Sequence, residues 1–196
     1  MPIQRAKPRL VDLDQTPLTS VSASDLPTGT VLQTIVHQTD TPVSFTASGT
    51  SDELLIASNA SDSTTHLSLS ITPKATSSKI LLTASIFCEA NGNSYNPLWG
   101  FFRDSTKLDA ATAGSRRTGI AMTAMGYYAE DTSSTADCVN YHYYDSPNTT
   151  SSITYACSYI TSANNLQMFI NRTQNDADNG SYERGISIII AQEIAG

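Results

Sequence analysis

Charge is scarce in this chain: Asp, Glu, Lys and Arg together make up 15% of its 196 residues. Basic residues are outnumbered, eleven Lys and Arg against eighteen Asp and Glu, for a formal net charge of −7. A nucleic-acid partner needs clustered Lys and Arg against phosphate, so the balance argues against that class. No apolar run approaches the roughly 20 residues that cross a bilayer as a helix. The opening Met1-Pro-Ile-Gln-Arg-Ala-Lys-Pro-Arg-Leu10 has no apolar stretch of the kind signal peptides carry. Membrane insertion is therefore not expected. The three cysteines, Cys88, Cys138 and Cys157, are an odd number and form no Cys-x-x-Cys pair, so they offer neither a disulfide framework nor a zinc site. Cys88 and Cys157 fall in apolar alternations and read as buried thiols.

Catalytic signals are equally thin. There are three histidines, and no Gly-x-Ser-x-Gly, His-Glu-x-x-His or phosphate-loop pattern occurs. His37 and His142 sit inside strand alternations and His66 opens one, so all three read as surface or satisfied side chains. Glu130 with Asp131, and Glu183 with Asp178, contain the carboxylates a glycosidase needs, yet both sets lie in turn-like sequence and read as solvated loops. No enzyme and no cofactor is expected. Asn175, Asp176 and Asp178 surround a turn with oxygen ligands that a hard cation such as Ca²⁺ favours, without the twelve-residue EF-hand frame. They are the candidates if an ion binds; a plain β-turn is the reading preferred. Sequons at Asn59, Asn148, Asn171 and Asn179 are no more than a chain so rich in Asn, Ser and Thr produces by chance.

What the sequence does contain is hydroxyl: Ser and Thr make up roughly a quarter of it, a composition suited to short strands and polar turns. From Thr30 onward, strand signals follow one another between Ser/Thr/Asn/Asp/Gly turns. Val31 to Gln38 alternates, and so do Leu67, Leu69 and Ile71 ahead of Pro73. Ile80, Leu82, Ala84, Ile86 and Cys88 form one face of a long strand. Val139 to Tyr144, Ile153 to Tyr159, Leu166 to Ile170 and Ile186 to Ile194 follow. Helical character is hinted at only in Leu108–Ala113 and Gly119–Met125. Eight or more strands without a long helix imply an all-β antiparallel sandwich or barrel.

Two strands are apolar on both faces, Leu98–Phe102 and Ile186–Ile194. An antiparallel strand facing water alternates, so these two need cover from a loop or a neighbouring subunit. Trp99, Phe101, Ile189 and Ile194 are accordingly assigned to a subunit interface, satisfied by closed rotational symmetry. Tyrosine is the densest aromatic: Tyr127, Tyr128, Tyr141, Tyr143, Tyr144, Tyr155 and Tyr159 read mainly as cross-strand packing. Tyr127, Tyr128 and Asn148, in loop sequence, are the candidate receptor contacts, toward a host-surface glycan or protein.

Residues 1–28 stand apart. They hold Arg5, Lys7 and Arg9, four of the eight prolines and almost no alternation, which reads as an extended arm that orders on a partner. Residues 29–196 form the β domain.

Leu26-Pro-Thr-Gly-Thr-Val-Leu-Gln33, Ser70-Ile-Thr-Pro-Lys-Ala-Thr-Ser-Ser-Lys-Ile-Leu81 and Asp145-Ser-Pro-Asn-Thr-Thr150 resemble a set of tailed-phage virion proteins, as do Phe169-Ile-Asn-Arg-Thr173 and Gln192-Glu-Ile-Ala-Gly196. Such proteins are common in phages of aquatic and photosynthetic bacteria, and the resemblance spans 26–196. It implies a tail-fibre or other structural protein, made in the bacterial cytoplasm and carried on the virion surface. The fold it implies is a homotrimeric jelly roll similar to the heads of the tumour necrosis factor and complement globular-head families. The expected role is a short tail fibre or host-recognition appendage, with Arg5, Lys7 and Arg9 in an arm that docks on other virion proteins. A capsid decoration protein and a free carbohydrate-binding lectin are the other two roles in view.

Overall fold

The structure, a computed structural model, describes residues 26–47, 54–55, 66–111, 114–123 and 135–196. Among them there are eleven strands and no helix: β1 (Val31–Thr39), β2 (Val43–Ala47), β3 (Leu54–Leu55), β4 (Ser68–Ile71), β5 (Lys79–Ala90), β6 (Leu98–Arg103), β7 (Thr106–Leu108), β8 (Asp137–Asp145), β9 (Ile153–Ile160), β10 (Leu166–Ile170) and β11 (Ser187–Ile194). Every pairing between them is antiparallel. The chain is all-β, folded as two sheets over one core.

The twelve residues of β5 organise the first sheet. Ile80 is opposite both Glu193 and Asp145, and Cys88 is opposite both Ile170 and Asp137. Strands β11 and β10 therefore lie end to end along one edge of β5, and β8 takes the other. On the outside, β1 pairs β11 and β2 pairs β10. The second sheet is built the same way: β3 and β4 share one edge of β9, and β6 then β7 follow on the other.

Side chains of a strand alternate between faces, and burial follows that alternation closely. Ile80, Leu82, Ala84, Ile86 and Cys88 of β5, with Ile189 and Ala191 of β11, are completely buried against the second sheet. From that sheet come Trp99, Phe101, Tyr155 and Tyr159, also completely buried. Trp99 and Tyr159 rings lie 4.8 Å apart, Phe101 and Tyr141 rings 4.7 Å apart. Each such side chain contributes roughly 1.5–3 kcal/mol by leaving water.

Trp99, Phe101 and Ile189 are thus core residues, covered by their own chain, and their assignment to a subunit interface is corrected. A shift of one position exchanges the two faces of a strand; on β11 the outward set is Ile188, Ile190, Gln192 and Ile194. The cover sought for Leu98 is a loop. The backbone of Ile120 and Ala121 bonds to Trp99 along the edge of β6, beyond β7. Gly119 passes so close to Leu98 that a Cβ there would meet its Cβ at 2.8 Å. Helical expectations for Leu108–Ala113 and Gly119–Met125 fail where they are described, because Leu108 ends β7 and Ala121 spends its hydrogen bonds on that edge. Three strands are additional to those expected: the short β3 and β7, and β2, where Val43-Ser-Phe-Thr-Ala47 alternates cleanly.

Three buried carboxylates fasten loops to this frame. Glu89 accepts from the Thr135 amide at 3.0 Å, the Thr135 hydroxyl at 2.8 Å and the Gln174 amide. Glu193 accepts from the Lys74 amide at 2.6 Å and from Gln33 Nε2 at 2.5 Å. Asp145, at the end of β8, accepts from Arg103 Nη1 at 2.9 Å and from the Tyr155 hydroxyl at 2.6 Å. Arg103 and Tyr155 belong to the opposite sheet, so this pair of bonds ties the layers together. Burial first, then the bond to Asp145, pushes the Tyr155 hydroxyl far above the ordinary tyrosine range.

A fourth polar knot marks where β10 gives way to β11. Asn171, buried and at φ +63°, donates to Thr39 O and Thr41 O and accepts from Ser187 Oγ. The sequon at Asn171 is therefore inside the protein. Nearby, Gly185 crosses the outward face of Phe87 so closely that a Cβ would lie 2.2 Å from Phe87 Cγ.

Asp145→Ala should leave a half-buried guanidinium and a buried hydroxyl unpaired, a loss of about 3 kcal/mol. Urea denaturation checks this, and a change within experimental error would show that the inter-sheet bonds contribute nothing net.

Candidate functional site

Pairing registers place outward side chains of the first sheet in rows. Val36, Ile190, Thr83 and His142 form one row. Thr34, Gln192, Leu81 and Tyr144 form the next, and Gln38, Ile188, Ser85 and Asn140 a third. Ile194 lies opposite Val31 at the margin. Val31, Val36 and Tyr144 are each more than half exposed, while Leu81, Ile188, Ile190 and Ile194 are partly buried. Among the described residues of β1, β11, β5 and β8, only two outward side chains are acids or strong bases. Lys79 sits at one margin, and Glu89 is buried under Thr135 and Gln174 at the other. This is a broad sheet face with an apolar spine, hydroxyls and amides, and almost no charge. Ile194 belongs to it.

Of the candidate receptor contacts, Asn148 alone is among the described residues. Asn148 lies in the β8–β9 turn at φ +53°, and its amide donates to Ser146 O, 3.1 Å away, within the same turn. Tyr127 and Tyr128 fall outside the described residues. The described residues on either side of them, Thr123 and Thr135, bond to Asp137 and Glu89, at the far end of β8 and β5 from that turn. Of the remaining tyrosines, Tyr141, Tyr155 and Tyr159 are core residues and Tyr144 is exposed. Arg5, Lys7, Arg9, Glu130 and Asp131 also fall outside the described residues. The first described segment joins the domain at Gly29, whose amide donates to Ala195 O at 2.8 Å.

The ion candidates are corrected. Asp176 is held by Arg184, whose Nη2 lies 2.6 Å away, and by Arg172 at 3.6 Å. Its charge is met by two guanidinium groups. Asn175 spends its Oδ1 on the Ala177 amide at 3.2 Å and its Nδ2 on the Tyr182 hydroxyl at 2.8 Å. Asp178 lines the surface cup over these residues together with Asn179 and Glu183. Among the described residues no cluster of three His, Cys, Asp or Glu side chains could hold a metal.

Of the histidines, His37 is on β1, His142 on β8, and His66 two residues ahead of β4. His37 Nδ1 lies 2.6 Å from Ser68 O, and His142 Nδ1 lies 3.1 Å from Thr83 Oγ1 on the outer face. His66 Nε2 is buried without a partner. Burial, and then the charge of His37, lower the His66 pKa, against a raising hydrogen bond to the Thr41 backbone. Cys88 and Cys157 are buried, as expected, and burial pushes the Cys157 thiol up to about 12. Cys138 is exposed, and none of the three cysteines is in a disulfide. Among the described residues no helix is long and apolar enough to cross a membrane.

Compared with models of protein families and with curated proteins, the chain matches none.

Two outcomes follow from these side chains. Millimolar Ca²⁺ or EDTA should leave the melting temperature unchanged, because Asp176 is already neutralised; a Ca²⁺-dependent rise would restore the ion site. His66 favours its neutral form when folded, so the unfolded chain binds the proton more readily. Stability should therefore fall as pH drops through about 6.5. Melting curves of His66→Gln should show a smaller fall than wild type between about pH 7.5 and pH 5.5, and an equal fall would remove His66 from the effect.

Proposed function

We propose that this chain is a non-enzymatic structural protein of a tailed-bacteriophage virion, a homotrimeric jelly-roll knob on the particle surface. Residues 1–28 are its docking arm, with Arg5, Lys7 and Arg9 toward other virion proteins, and its role is that of a short tail fibre or host-recognition appendage. The sequence resemblance brings the phage class. The strand order supports the jelly roll: β1-β11-β5-β8 in one layer and β4-β9-β6-β7 in the other. First and last strands are neighbours, and the chain changes layers between β2 and β3, β4 and β5, β5 and β6, β7 and β8, β8 and β9, and β9 and β10, a pattern in keeping with interleaved Greek keys.

The observation that carries the assembly is the outer face of the first sheet. Apolar side chains there number too many for a solvated sheet, and charge that would keep copies apart is nearly absent. A second and third copy of the same face, arranged about a three-fold axis, cover it without opening a filament. No separate adaptor is needed for this, because each protomer presents the same rows.

Parity provides the test. Ile190→Asp points outward and should yield a folded monomer, whereas Ile189→Asp buries an unpaired charge in the core and should unfold the domain. Sedimentation velocity with circular dichroism reads both. A wild-type chain that sediments as a monomer at micromolar concentration would contradict the trimer, and an Ile190→Asp chain that stays trimeric would move the interface elsewhere.

A further inference from the structure

At the end of the sandwich away from Asn148, the β5–β6 and β9–β10 connections face each other across an open cleft of about 470 Å³. Asn91, Asn93, Tyr95, Ser162, Asn164 and Asn165 are among its lining residues, and no Asp, Glu, His, Lys or Arg is. Tyr95 is 61% exposed, although a residue of that size usually buries most of its surface.

The backbone beneath that ring is fixed. Tyr95 O accepts from Thr161 Oγ1 at 2.8 Å, from the Ser162 amide at 2.8 Å and from Ser162 Oγ at 3.0 Å. Asn96, at φ +51°, donates to Ser162 Oγ at 2.9 Å. Across the cleft, Asn91 and Gln167 exchange two bonds, amide to carbonyl at 3.0 Å and amide to Asn91 Oδ1 at 2.9 Å. Ser94 is tied to the Tyr159 hydroxyl. By contrast, the side-chain amides of Asn93, Asn164 and Asn165 make no hydrogen bond within the described residues. The two loops are braced to each other, and what they leave uncommitted is one aromatic face and three amides.

We infer that this cleft binds a neutral oligosaccharide. A pyranose ring offers C–H edges that stack on an exposed phenol and hydroxyls that pair with both ends of a carboxamide. An unbraced loop would lose entropy on binding, and the cross-loop bonds have already removed much of that cost. The absence of any charged lining residue favours an uncharged sugar over an anionic one. This deepens the host-recognition part of the proposed function and names its ligand class, at a place distinct from the assembly face.

Isothermal titration of the full chain with maltotetraose, cellotetraose and chitotetraose, and with a heparin tetrasaccharide as charged control, tests it. At least one neutral tetrasaccharide should bind saturably and the heparin fragment should not. Tyr95→Ala, which keeps the backbone carbonyl in place, should weaken binding about tenfold or more; Asn164→Ala should weaken it less. Ser152→Ala, at an exposed position in the β8–β9 connection at the other end of the sandwich, should bind as wild type. Saturable binding of none of the neutral sugars, binding of heparin alone, or wild-type affinity in Tyr95→Ala would overturn the inference. A trimeric virion protein that binds no neutral sugar would remove the cleft and leave the assembly reading standing. Sugar binding lost in Tyr95→Ala would uphold the cleft even in a chain missing from virions.

Discussion

The structure depends on one constraint: the backbone of β5 is hydrogen-bonded along both edges, so its twelve residues fix which face of every neighbour points inward. Once Ile80, Leu82, Ala84, Ile86 and Cys88 are committed to the core, antiparallel register commits Ile189 and Ala191 on β11, and Val139 and Tyr141 on β8, to the same side. What remains outside is equally fixed. Ile188, Ile190 and Ile194 lie on the solvent side because their neighbours Ile189 and Ala191 do not. The apolar outer face, on which the proposed assembly rests, is thus a consequence of the same register that builds the core.

Polar groups do the complementary work at the ends and joints. Asp145 bonds across the layers, Glu193 holds the turn before β5, Glu89 holds the segment before β8, and Asn171 seals the step from β10 to β11. Buried polar atoms are costly without partners, and in each of these places the partner belongs to a different segment of the chain. Turns are handled in a related way. Asn96, Asp104, Asn148, Asn165 and Asn171 adopt positive φ, a region that Asn and Asp enter more readily than any other residues with a Cβ.

Period-two patterning made the fold class legible, including the long strand at Ile80–Cys88 and the buried thiols of Cys88 and Cys157. The side of the final strand was not legible. Ile186-Ser-Ile-Ile-Ile-Ala-Gln-Glu-Ile194 is apolar at both parities, and hydrophobicity alone gives no reason to prefer Ile189 or Ile190 for the core. One polar residue held the answer: Glu193 shares the inward parity and is buried on loop donors, which composition cannot foresee. The ion candidates failed for a similar reason, since Arg172 and Arg184 reach Asp176 only through the fold. Tyr95 was readable in principle. It sits in Asn91-Gly-Asn-Ser-Tyr-Asn-Pro97, an amide-rich turn between two long strands, but it lies alone and apart from the denser tyrosines that dominate the aromatic pattern.

The proposal of an oligomeric virion knob rests on a register-defined apolar face, a strand order of interleaved layers and a resemblance to tailed-phage proteins. Quantitative mass spectrometry of purified particles of a phage whose genome carries this sequence tests that proposal most directly. The expected result is the chain present at dozens of copies per particle, in a multiple of three. Hundreds of copies would instead mean capsid decoration, and absence from purified particles would contradict the virion role altogether.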